Sequence, residues 1–163
     1  MPASDLTRRD LLTSVAAAGV AGAAAVAAQP ARRQVAIGSV NALAAVKLTV
    51  ERLSAGEPPV DAAVAGVGLA EADPDEVGVG YGGLPNEDGV VQLDAAVMDG
   101  VSMRAGAVAA LERIKHPARV ALQVMRRTTR ILLVGDGALR FARAHGFVEE
   151  NLLTERARKI WLY

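Results

Sequence analysis

The residues with most chemical potential lie between Gly78 and Gly100, where GVGYGGLPNEDGVVQLDAAVMDG places six of the sixteen glycines beside an apolar run. Gly78, Gly80, Gly82 and Gly83 permit positive φ and close approach of a second backbone. Such a loop can aim successive amides at an anion, or it can serve turn formation and close packing. Asn86-Glu87-Asp88-Gly89 is a turn signal, and the alternation that follows puts Val91, Leu93, Ala95 and Val97 on one face of a strand. Asp94 points the other way, in mid-strand, where a carboxylate is costly to bury unless donors reach it. Asp61, Asp94 and Asp99 are the carboxylates that acid/base work or a cation would use. Asp61 also suits a first helical turn and Asp99-Gly100 a tight turn, whereas Asp94 has no such local explanation.

Other reactive types are sparse. Cysteine is absent, which removes thiolate nucleophiles, disulfides and Cys-ligated zinc. His116 and His145 stand alone, a poor basis for a metal site or a Ser-His-Asp triad, and no Gly-x-Ser-x-Gly elbow occurs. Gly135-Asp136-Gly137 follows an apolar run but lacks both the third glycine of a dinucleotide fingerprint and a Walker lysine. No metal and no cofactor is expected. A formal charge of zero gives no global field for nucleic acid or an anionic membrane. Charge is nonetheless uneven: residues 51–99 hold eleven acids and one base, residues 113–163 eleven bases and four acids. The basic third can be a partner surface or simply solvated helix faces.

The elements that would carry these residues are legible in outline. The 163 residues, 52% hydrophobic and 3% aromatic, suffice for one domain with an Ala/Val/Leu core. Gln34–Ser39 reads as a short strand. Leu43, Val46, Val50 and Leu53 recur at helical spacing up to Gly56. A second helix starts at Pro59, carries Val60, Val64 and Val67 on one stripe, and ends by Asp73-Pro74. Strands follow at Val90–Met98 and Ala105–Leu111, then a helix over Pro117–Arg127 and a buried strand at Ile131–Val134. The next helix is closed by Gly146, and the last begins on Thr154 as its cap. Runs of strands beside paired helices favour a layered α+β sandwich over an alternating βαβ fold.

The amino terminus reads as an address. Arg8-Arg9 precedes Leu11-Leu12 and the weakly apolar Val15–Ala28, so residues 1–28 are expected to be a twin-arginine export signal. The apolar run is shorter than the roughly 20 residues that span a bilayer, so cleavage near Ala27 or Ala28 and a periplasmic product are expected, with no stable membrane anchor. Residues 29–34 are a linker.

Four blocks in order, VGYGGLPNEDGVVQLDAAVMDG, RAGAVAALERIKHPARVALQVMRRT, LLVGDGALRFARAHGF and ENLLTE, resemble the amino-terminal half of glycosylasparaginases, within the isoaspartyl peptidase/L-asparaginase superfamily. The resemblance implies that residues 35–163 are the α-subunit portion of an αββα N-terminal-nucleophile hydrolase. It implies amide hydrolysis by a threonine freed by autoproteolysis, whose own α-amine acts as base. That threonine usually sits in a His-Asp-Thr segment, and no Asp-Thr pair occurs here. The chain is therefore expected to be truncated before the nucleophile, to contain no catalytic residue and to be inactive alone. Its expected partners are its β portion, a small amide substrate and further αβ units in a homo-oligomer; a non-catalytic remnant or binding domain is the alternative. Two departures from the family pattern bear on the site. Family members carry a tryptophan where this chain reads Gly38-Ser39-Val40-Asn41, and a serine where it has Gly78. Ser39, Asn41, Gly78, Gly82 and Gly83 are the substrate-proximal candidates, and Asp94 is expected to be a buried structural carboxylate.

Overall fold

The computed structural model describes residues Gln34–Tyr163, so the expected export signal and most of the linker lie outside the described residues. The elements are α1 (Leu43–Ser54), α2 (Pro59–Ala72), β1 (Gln92–Asp99), β2 (Arg104–Glu112), α3 (Pro117–Arg127), β3 (Leu132–Val134), α4 (Gly135–Ala144) and α5 (Glu155–Trp161). Local chemistry explains most of their ends. Pro59 and Pro117 open α2 and α3 where a missing N–H leaves no bond unmade. Gly56 and Gly146 adopt positive φ just past α1 and α4. The Thr154 hydroxyl accepts the Ala157 N–H at 3.1 Å and caps α5.

The three strands form one sheet in the order β1-β2-β3, antiparallel between β1 and β2 and parallel between β2 and β3. Helix α3 makes the crossover that a parallel pair requires. The core sits on one sheet face, where Val108 and Leu111 of β2 meet Val120, Ala121 and Val124 of α3 and Ala138, Leu139 and Ala142 of α4. Gly106 lets α3 settle directly on β2, because a Cβ there would collide with the backbone at Ala121 and Met125. Val64 of α2 joins Ala118, Leu122 and Met125 of α3 in a second cluster, and α1 packs on α2 across Gly66.

The result is a mixed α/β fold compatible with part of an αββα sandwich, and no element among the described residues covers its other sheet face. Cross-strand partners share a face, so Ala96, Ala107 and Leu132 form one row and Met98 and Ala105 another. Met98 is 62%, Leu132 51% and Val134 54% exposed on this side.

Two expectations about the strands fail. Gln34–Ser39 forms no strand: it pairs with none of the three strands, and its backbone runs past α1, with Gln34 Nε2 donating to the Leu53 carbonyl at 2.8 Å. Ile131–Val134 is not buried, because β3 is an edge strand with a helix on one face only, which leaves Ile131 65% exposed. Helix α1 forms where the spacing predicts but buries no residue fully: of its stripe Val46 and Leu53 turn inward, with Ala45 and Thr49 beside them, while Leu43 and Val50 face solvent.

Candidate functional site

A groove of about 650 Å³ follows the free edge of β1 along Gln92–Asp99. Val60, Ala63, Val64 and Val67 of α2 form the facing wall, and Gly78-Val79-Gly80 closes one end beside Glu71, Pro117 and Ala118. The wall is apolar because the stripe of α2 packs only partly on α3, which leaves Val67 half exposed toward the groove. Unpaired backbone groups of the β1 edge supply polarity along the other side.

The glycine loop spends its amides on the protein itself. Tyr81 N–H donates to the Glu71 carbonyl, Gly82 N–H to Leu152, Gly83 N–H to Gly80 and Leu84 N–H to Val77, at 2.8 to 3.2 Å. Gly78 N–H goes to Glu76 Oε1 at 3.0 Å. Residues 81–84 therefore have no amide to offer an external anion. Gly82 and Gly83 are buried, Gly83 against Val91 and Leu93, whereas Gly78 is exposed at the groove end.

Two separate candidate segments come together at Glu76. Asn41 Nδ2 donates to Glu76 Oε2 at 2.9 Å, and Ser39 Oγ donates to Asn41 Oδ1 at 2.7 Å. Ser39, Asn41 and Gly78 thus form one hydrogen-bonded series, with Glu76 as the link that the residue pattern did not reveal.

Asp94 is a correction. It is exposed rather than buried, yet it has a structural bond: Oδ1 accepts the Ala110 N–H at 2.8 Å. The register slips there, so Ala109 and Ala110 together face Asp94, and Ala110 adopts φ 48. The carboxylate holds a bulge in β2. Asp99, at the far end of the groove, is held below the usual carboxylate range by the Ser102 hydroxyl and then the Ser102 N–H. Asp61 pairs with Arg126 at 2.6 Å, which occupies the third of the sequence's candidate carboxylates.

The residue pattern also missed Glu71. It is 2% exposed and bonds His116 Nδ1 at 3.1 Å and the Ala118 N–H at 2.9 Å. The signal was available: Glu71 falls seven residues after Val64, two helical turns along the buried face of α2, where an unpaired charge would not be tolerated. Among the described residues no cluster of His, Cys, Asp or Glu can hold a metal ion, and no helix is long and apolar enough to cross a membrane.

A family model described as asparaginase matches residues 12–163. The chain belongs to the asparaginase family. An N(4)-(β-N-acetylglucosaminyl)-L-asparaginase of Elizabethkingia miricola is 51% identical over 109 residues, 67% of this chain and 32% of that protein. Enzymes of the same name from Mus musculus and Rattus norvegicus are each 42% identical over 113 residues, 68% of this chain and 33% of theirs. The chain thus spans about a third of the length of these curated relatives. As an asparaginase-family chain, it matches the resemblance first read from its sequence blocks.

Proposed function

We propose that this chain is the α portion of an amidohydrolase that cleaves the side-chain amide of asparagine, glycosylated asparagine or a related aspartyl amide. The observation that carries the reading, beside family membership, is the groove: it runs along an unpaired strand edge, is closed at one end by the glycine loop and adjoins an uncovered apolar sheet face. A β portion would complete the sandwich over that face and bring the nucleophile to the groove.

In this reading the threonine hydroxyl of the β portion attacks the amide carbon, and the threonine's own α-amine takes the hydroxyl proton. The tetrahedral intermediate collapses with that proton passing to the departing nitrogen, which leaves as ammonia or a glycosylamine. Water then attacks the aspartyl ester, releasing aspartate and restoring the hydroxyl. The described chain contributes walls rather than reacting groups. Ser39 and Asn41, tied through Glu76 to Gly78, flank the end of the groove rather than line it, and Gly78, Gly82 and Gly83 shape the loop. The working unit is an αβ pair that assembles into a homo-oligomer, exported by the twin-arginine route that Arg8 and Arg9 signal. No metal or cofactor takes part.

The test is an assay of aspartylglucosamine and asparagine hydrolysis by residues 29–163 alone and after co-expression with a β portion. Turnover is expected only from the pair. Turnover by the single chain overturns the placement of the nucleophile, and an inactive but assembled pair favours a non-catalytic binding domain.

A further inference from the structure

Glu71 is the only buried charged residue among the described residues, and every polar atom of its carboxylate has a partner within the chain. Ala118 is the second residue of α3, so its N–H is one of the first-turn donors that helix geometry leaves unpaired. His116, which precedes the helix, provides no side-chain cap. Glu71 Oε1 supplies the missing acceptor from α2, and Oε2 fixes the His116 ring. The backbone of the same residue anchors the glycine loop. Its carbonyl accepts the Tyr81 N–H at 2.8 Å, and Gly80, at φ 59, rests on it so closely that a side chain at Gly80 would overlap the Glu71 backbone.

One residue therefore ties three segments that meet at the closed end of the groove: the last turn of α2, the glycine loop and the start of α3. Glu71, Gly80, Pro117 and Ala118 all line that end. The consequence is geometric. An apolar residue of the same size would leave the Ala118 N–H without its acceptor and the His116 ring without its partner, which is why a charge persists on an apolar stripe.

We propose that Glu71 is a positioning residue for substrate binding: through Ala118, His116 and the Gly80–Tyr81 backbone it sets the spacing between the glycine loop and α3, and so the fit of the amide substrate. The substrate part rests on the amidohydrolase reading above; the spacing part does not. Glu71→Gln preserves an acceptor for Ala118 and can donate to a neutral His116, whereas Glu71→Leu preserves only volume.

Amide hydrogen exchange of the full 163-residue chain tests the spacing. Glu71→Leu is expected to speed exchange at Tyr81 and Ala118 by about ten-fold while Val124 is unchanged, and Glu71→Gln to stay close to wild type. Unaltered Tyr81 and Ala118 amides, or equal acceleration at every amide, overturns the proposal. If Glu71→Leu fails to fold, Glu71→Asp, whose shorter side chain draws the carboxylate away from Ala118, carries the same expectation at Ala118, and an unchanged Ala118 overturns it. In the αβ pair, Glu71→Leu is expected to raise KM by about ten-fold with kcat little changed, with rescue by Glu71→Gln. A fall in kcat at constant KM removes the binding part. A wild-type pair without turnover defeats the amidohydrolase reading, and the exchange result still decides the spacing.

Discussion

Asp94 shows how a residue can be conspicuous for a good reason and the wrong one at once. Its mid-strand position called for donors, and a donor exists, but the bond spans to the Ala110 amide at a bulge on the exposed side of the strand. Ala110 in turn holds a left-handed conformation that an L-residue adopts at a cost of roughly 1–2 kcal/mol. Asp94→Ala is expected to lower unfolding free energy by about 1 kcal/mol, the usual worth of one such bond. Ala110→Gly is expected to raise it by up to about 1 kcal/mol. Urea unfolding of both variants measures the two effects, and the pair should be non-additive because the residues share a bond. Glu71 and His116 lie 45 positions apart, so no local pattern joins them, although the charge on an apolar stripe marks one end of the bond.

Helices were easier to read than strands because their signals are local. Pro117 and the Arg126-Arg127 pair bracket α3 at the bounds the spacing predicts, and Thr154 caps α5 as its residue type suggests. A strand depends on neighbours that local sequence does not supply. Gln34–Ser39 has strand-like composition but no ladder, and Ile131–Val134 has core-like composition at a sheet edge. The seating of α3 on β2 was equally invisible, since Gly106 in RAGAVAAL looks like one small residue among several. Gly106→Ala is expected to destabilise by about 3 kcal/mol, because the added methyl meets backbone that cannot turn aside. Gly137→Ala in α4, with open space around it, is expected to stabilise by about 0.5–1 kcal/mol. Thermal melts of the two variants should move in opposite directions.

At the scale of the whole molecule, the uneven coverage of the sheet dominates. One face carries α3 and α4, while the other shows Met98, Leu132 and Val134 to solvent, and β1 keeps a free edge. Surfaces of this kind drive association. The chain without a β portion is expected to self-associate with increasing concentration, and Met98→Lys with Leu132→Lys to shift sedimentation velocity toward the monomer. A wild-type chain that stays monomeric at high concentration would show that this face needs no cover.

The β2–α3–β3 crossover also has a consequence in time. The main cluster draws its residues from the span between Val108 and Ala142, so its contacts close short loops, and loop-closure entropy grows with chain separation. That favours the crossover with α4 as the first unit to condense, before α1 and α2 arrive. Mutations at Val120 or Val124 would then slow refolding, while those at Val64 would chiefly hasten unfolding. The groove, whose facing wall belongs to α2, would be the last part of the fold to take shape.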